Sequence, residues 1–296
     1  MEGTRYTKNY RKEDKCNMNF HDDKWIMDKL QEHLDFAYNY IEPSLILGIF
    51  LRGSQNYLLD EENSDVDSVL LVVPSIDDIC IGRQMKSTTL IMPNDEHIDV
   101  KDIRWFRGQI LKQSPQFMEC LMTPYYLIKP SFYESWNILL NHKGMYFNYD
   151  KKKMIKAMRG YAHEKHHALT HEYPSRMHMI KKYGYDPKQL MHLARYKELV
   201  KNFALGVPFP DVLICKDQQV ENYLRELKSG KFDLAAAQRI AEQTLKTADD
   251  YANMFIEHEP DPDSKYQEMV ESYLDQDIGR IIKESLKQQF EKENQE

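Results

Sequence analysis

Residues 45–74 read LILGIFLRGSQNYLLDEENSDVDSVLLVVP, and the rest of the chain is organised around them. Leu45 to Leu51 is an apolar run that predicts a strand, Gly53-Ser54 a tight turn, and the residues around Asp65 and Asp67 a second strand. Successive side chains of a strand point to opposite faces, so two aspartates spaced by two project together. Val66 and the run Val69 to Val73 supply the apolar anchor. Two parallel carboxylates at a strand end make a poor core and a good cradle for a divalent cation. Gly53 lets the backbone bend sharply, and the Ser54 hydroxyl with nearby N–H groups suits phosphate oxygens. A metal cradle and a phosphate turn on adjacent strands are the minimum equipment for chemistry on a nucleoside triphosphate.

A third strand is predicted at His97 to Ile103, where Ile98 and Val100 alternate with His97, Asp99 and Lys101. Asp99 lies on the polar face and is the candidate third carboxylate. Asp102 falls on the opposite face, and Asp95 and Glu96, in or just after a turn, are weaker candidates.

Gly53-Ser54, ten residues, then Asp65-Val66-Asp67 resembles the signature of the DNA polymerase beta-type nucleotidyltransferase superfamily. The detail RGSQNYLLDEENSDVD resembles its RNA-repair-associated (RlaP-type) branch, with Leu58 where that branch has a glycine. Lys112 to Leu121 and YGYDPKQLMHLARY (183–196) resemble the same branch, so the resemblance spans Leu45 to Gly206. It implies transfer of a nucleotide monophosphate from an NTP to an acceptor hydroxyl, with an RNA or tRNA end as acceptor. It further implies two Mg²⁺ ions, or Mn²⁺ in their place, held by Asp65, Asp67 and Asp99, with Asp99 also the general base. Arg52, Gly53, Ser54, Lys188, His192 and Arg195 are the candidate phosphate contacts, with Lys182 weaker. Lys188, His192 and Arg195 stand at i, i+4 and i+7 on a helix capped by Asp186 and Pro187.

The fold expected is a two-domain α/β protein. A flexible arm (1–23) precedes a small mixed-sheet nucleotidyltransferase domain (24–148) and an α-helical domain (149–296) that closes one side of the cleft. Ser131 to Leu140 reads as an apolar segment and residues 141–150 as a tyrosine-rich connection at the boundary. Glu119, among Phe117, Met118, Leu121 and Met122, reads as a semi-buried side chain with a structural hydrogen bond.

A content of 42% hydrophobic and 29% charged residues is that of an ordinary soluble globular chain. The polar first twenty residues predict no secretory signal, and the scattered cysteines suit reduced thiols, so a cytoplasmic location is expected. The net charge of −7 hides an asymmetry. Residues 151–201 carry 13 Lys/Arg against 4 Asp/Glu, and residues 249–296 carry 5 against 14. A basic middle suits a triphosphate or RNA, although charge alone fits a solvated surface balanced by the acidic end better.

Three other readings remain open on sequence. One is nucleotide addition to a protein hydroxyl, as in toxins. Another is a non-catalytic NTP- or RNA-binding module. The last is a zinc hydrolase on His163, Glu164 and His167, an HExxH pattern with no recognisable third ligand.

Overall fold

The structure, a computed structural model, describes residues 20–294. Residues 1–19 of the expected flexible arm lie outside the described residues. The remainder of that arm is seated. Phe20 and His21 donate their N–H groups to buried Asp60, each at 3.0 Å. Asp22 then accepts the Trp25 N–H at 2.8 Å and caps helix α1 (Asp23–Ala37).

Strands β1 (Ile46–Arg52) and β2 (Asp67–Val72) follow, then α2 (Ile76–Cys80), β3 (Ser87–Ile91) and β4 (His97–Asp102). Helices α3 (Ile103–Leu111) and α4 (Pro115–Met118) lead to the short strand β5 (Tyr126–Ile128) and helix α5 (Tyr133–Phe147). The remainder is helical: α6 (Lys151–Ala168), α7 (Met177–Tyr183), α8 (Pro187–Ala204), α9 (Phe209–Val212), α10 (Gln218–Lys228), α11 (Leu234–His258) and α12 (Ser264–Glu293). The molecule is thus mixed α/β with a helical C-terminal region. The expected connection over 141–150 is mostly helix, because Tyr146 and Phe147 are buried and extend the inward face of α5.

The chain divides into two compact units, residues 1–149 with 263–296, and residues 150–262. The expected boundary falls within a residue of the first join. Helix α12, expected with the helical domain, instead belongs with the sheet.

In the first unit the five strands run in the order β3-β4-β2-β1-β5. Only β2 and β4 are parallel; every other neighbouring pair is antiparallel. One face of the sheet is closed by α1, whose Ile26, Leu30, Leu34 and Ala37 pack with Ile49, Leu51, Val66, Leu70, Ile98 and Val100. Each large aliphatic side chain buried here contributes roughly 1.5–3 kcal/mol. The other face carries Phe50, which meets Trp136 of α5 at 4.8 Å between ring centroids. Helix α12 packs on α5 and α3. Its buried Asp277 accepts hydrogen bonds from the Tyr146 hydroxyl and His142 Nδ1. Gly48 is required where β5 pairs with β1, since a Cβ there would lie 2.6 Å from both Leu127 O and Ile128 Cδ1.

In the second unit α6, α8 and α11 pack against one another, with α10 and α9 on α8. Ala237, Ala241, Ala248 and Ala252 give α11 a narrow buried face that lets its neighbours approach closely. Asp186 caps α8 and receives a two-pronged bond from Arg176 at 2.7 and 2.8 Å. Burial opposes its charge, but Arg176 and the N–H groups of Lys188 and Gln189 hold its pKa below the usual carboxylate range.

Candidate functional site

The sheet register decides which acidic side chains share a face. Asp67 opens β2 opposite Arg52, and Asp99 on β4 stands beside Val69, two residues further along β2. Partners across a ladder point to the same face and residues two apart do too, so Asp67, Asp99 and Arg52 share one. Burial agrees: Ile98, Val100 and Asp102 are buried, while Asp99 and Lys101 are half-buried and His97 exposed.

Asp65 departs from expectation. It lies in the lead-in before β2, not within the strand. Val66, at 0% exposure, is sunk into the core under α1, so alternation still turns Asp65 towards the side of Asp67. Asp65 is exposed and Asp67 half-buried, with His97 Nδ1 at 3.5 Å from Asp67 Oδ1.

Asp99 is engaged. Arg52 Nη1 donates to its Oδ2 at 2.7 Å, and Thr89 Oγ1 donates to its Oδ1 at 2.7 Å. Arg52 Nη2 donates to Gln116 Oε1 at 2.8 Å. Burial acts against the Arg52 charge, but Glu119, Tyr57 and Asp99 outweigh it and raise its pKa. Among the described residues no three His, Cys, Asp or Glu side chains gather closely enough to hold a metal ion. The expected three-carboxylate cluster is therefore not closed, because Asp99 is drawn into the pair with Arg52. The donor chemistry still fits Mg²⁺, which commonly takes one or two carboxylates and completes its shell with water and substrate phosphate. Asp65 and Asp67 meet that requirement.

The turn beside them is built for glycine. Gly53 has φ 107° and ψ −153°, a region essentially closed to residues with a Cβ. Ser54 begins a 3₁₀ turn (Ser54–Tyr57) and its carbonyl accepts the Leu59 N–H at 3.1 Å. The turn ends on Leu58 in the left-handed region, at φ 62° and ψ 36°. That is the position where the resembling branch has glycine, and a leucine held there costs about 1–2 kcal/mol.

Two buried glutamates brace these segments. Glu119, 2% exposed, accepts from the Gly53 N–H at 3.2 Å, from Asn56 Nδ2 at 2.7 Å and from the Tyr57 hydroxyl. The Gly53 N–H, expected to face a phosphate, is thus given to Glu119. Glu96 is buried against α1. Its Oε1 accepts the Val66 N–H at 3.2 Å, and its Oε2 meets His33 Nε2 at 3.2 Å and Asn94 Nδ2 at 2.6 Å. His33 Nδ1 in turn lies 2.9 Å from Ser68 Oγ. Burial pushes the Glu96 carboxyl up, but the bonds from His33, Asn94 and Val66 prevail and hold it at about 2. Glu96 braces the aspartate segment through the Val66 N–H. The sequence signal for this role was thin, a lone glutamate after the Pro93-Asn94-Asp95 turn with partners on distant elements.

Lys188, His192 and Arg195 belong to the second unit, on α8. Lys188 and His192 are half-buried and Arg195 is 5% exposed. His192 is held neutral: burial lowers its pKa well below the ordinary value, with Arg195, Lys188, Lys165 and Lys228 adding to the effect. The i, i+4, i+7 row of cationic or potentially cationic groups is therefore two cations around a neutral imidazole. The basic run of the sequence is largely matched within its own unit. Lys151 pairs with Glu259, Lys152 with Asp261, Lys165 with Glu164, and Lys197 with Glu198. Of the HExxH residues, His163 Nε2 is taken by Asp249 at 2.9 Å and Glu164 by Lys165 at 2.6 Å.

No protein-family model and no curated protein matches the chain. No helix among the described residues is long and apolar enough to cross a membrane.

Proposed function

We propose that the sheet unit is a metal-dependent nucleotidyltransferase that moves a nucleotide monophosphate from an NTP to an acceptor hydroxyl. The observation that carries this reading is the placement of Asp67 and Asp99 on one face of neighbouring parallel strands, beside the positive-φ turn at Gly53. Asp65 and Asp67 would hold the Mg²⁺, which when bound neutralises triphosphate charge and acidifies the attacking hydroxyl. The acceptor oxygen forms a bond to the α-phosphorus while the bridge to the β-phosphate breaks. Pyrophosphate departs with the electron pair.

Arg52 and Asp99 act as a coupled pair in this scheme. Arg52 transfers from Asp99 to a phosphate oxygen of the NTP. That releases Asp99 Oδ2 to take the proton of the acceptor hydroxyl, while Thr89 keeps the carboxylate oriented through Oδ1. Ser54 offers its hydroxyl to the phosphates. The acceptor class, an RNA end, comes from the resemblance of residues 45–206 to the RNA-repair-associated branch.

Mg²⁺-dependent transfer of label from each α-³²P-labelled NTP to total RNA and to lysate protein tests the reading. Label should enter RNA and be abolished in the double variant Asp65→Ala, Asp67→Ala. Incorporation unchanged in that variant would falsify the site, and label in protein would move the acceptor to the toxin-like class.

A further inference from the structure

We propose that the outer edge of β3 is a self-association surface, on which a second copy of the chain adds its own β3 antiparallel about a two-fold axis through Thr89. The register of the β3–β4 hairpin fixes which groups that edge offers. Asp102 N donates to Lys86 O and Met92 N donates to Glu96 O, each at 2.9 Å, at the two ends of the ladder. Bonded pairs alternate along an antiparallel ladder, so Thr88 and Leu90 also direct their backbone groups to β4. Ser87, Thr89 and Ile91 therefore turn their N–H and C=O groups outward. Among the described residues nothing bonds to those outward backbone groups. The strand is exposed except at half-buried Leu90, and Ile91 is 61% exposed. Ser-Thr-Thr-Leu-Ile has no charge and no proline, and its pairing with β4 has no bulge. Those are the devices that usually close an edge to further pairing.

Symmetry and charge select a second copy as the occupant. Residues 87, 89 and 91 are evenly spaced about Thr89. A two-fold rotation there sets Thr89 against itself and Ser87 against Ile91 of the second copy, so every outward group meets an outward group. These pairs make about six N–H···O bonds. Sliding the register by two residues leaves one pair unmade, and sliding it by one sets outward groups against residues already turned to β4. Exposed Lys86 precedes the strand and exposed Asp95 follows it, and neither has an ion pair among the described residues. Antiparallel pairing brings the Lys86 end of each copy beside the Asp95 turn of the other, whereas parallel pairing would bring like ends together. The two-fold also closes the assembly, since each copy has a single β3. The contact is one five-residue strand, so it belongs at the weak end of specific interfaces.

Sedimentation equilibrium of the full chain, up to about 0.5 mM, should show a reversible monomer–dimer equilibrium and no larger species. Residue-resolved amide exchange reads the register. From dilute to concentrated protein, exchange at Ser87, Thr89 and Ile91 should slow about tenfold, while Thr88 and Leu90, already bonded to β4, change less than about twofold. Ile91→Pro removes an outward N–H and leaves the β4 ladder whole, so it should be monomeric throughout. Should that variant fail to fold, Ile91→Lys, which puts a charge on the edge, should weaken the dimer about tenfold. Lys86→Glu should weaken it about fivefold at low salt and less at high salt. A monomer at every concentration, a dimer unchanged in the folded Ile91 variants, or open-ended oligomers would each overturn the proposal. So would protection of the three outward amides in dilute, monomeric protein, because another segment of the chain would then cover the edge.

Discussion

The turn at Gly53 and the lead-in at Asp65 to Asp67 are each held by a buried glutamate, but with different reach. Glu119 collects three donors from a single loop, residues 53, 56 and 57. Glu96 ties three separate segments: α1 through His33, its own turn through Asn94, and the lead-in through Val66. The first arrangement shapes a loop and leaves the frame alone. The second is part of the frame. A motif of two short pieces thus depends on two residues outside it, and losing either should have a different signature.

Removing Glu96 should have the largest effect. Glu96→Ala leaves His33 Nε2 and the Val66 N–H in the core without their acceptor, and a loss of about 3 kcal/mol in global stability is expected by urea unfolding. Glu119→Ala should cost about 2 kcal/mol, and its mark should be local. Amide hydrogen exchange should speed up across residues 53–59 while the central strands keep their protection. Uniform acceleration across the sheet would erase the distinction between the two glutamates.

Acid should act through Glu96. The Glu96 carboxyl sits near 2 in the folded protein, below its ordinary 4.5. The unfolded chain therefore binds the proton first as pH falls. The stability Glu96 contributes is complete above about 4.5 and drains away between there and about 2. Glu96→Gln should flatten the unfolding profile in that window, read as urea midpoints at successive pH values.

The smallest effect should come at Leu58. Leu58→Gly removes the left-handed penalty but adds chain entropy, so a net gain below about 1 kcal/mol is expected. Leu58→Ala keeps the strain and loses packing, so it should melt lower than both.

Much of the fold was legible in the sequence because the signals were local. Alternation put Asp99 with His97 and Lys101 and sent Asp102 to the other face, where it caps α3. Asp186-Pro187 announced the start of α8. The parts that were not legible depend on contacts between residues far apart in the chain. Glu96 finds His33 across 63 positions, and Arg52 finds Asp99 across 47. Nothing in the spacing of carboxylates foretells that one of them will prefer an arginine. The tyrosines of 141–150 read as a connection because their partners, such as Asp277 for Tyr146, lie on a helix more than a hundred residues later.

That last pairing has a bearing on how the protein is made. The sheet unit is interrupted by residues 150–262, and α12, which completes it, leaves the ribosome only after the whole insert. The nascent sheet must wait with the surface of α3 and α5 uncovered while the helical insert is free to fold first, the reverse of the usual N-to-C order of domain folding. A fragment ending at residue 149 would keep every candidate catalytic residue of the sheet unit and still aggregate. Supplying residues 263–296 in trans should rescue it.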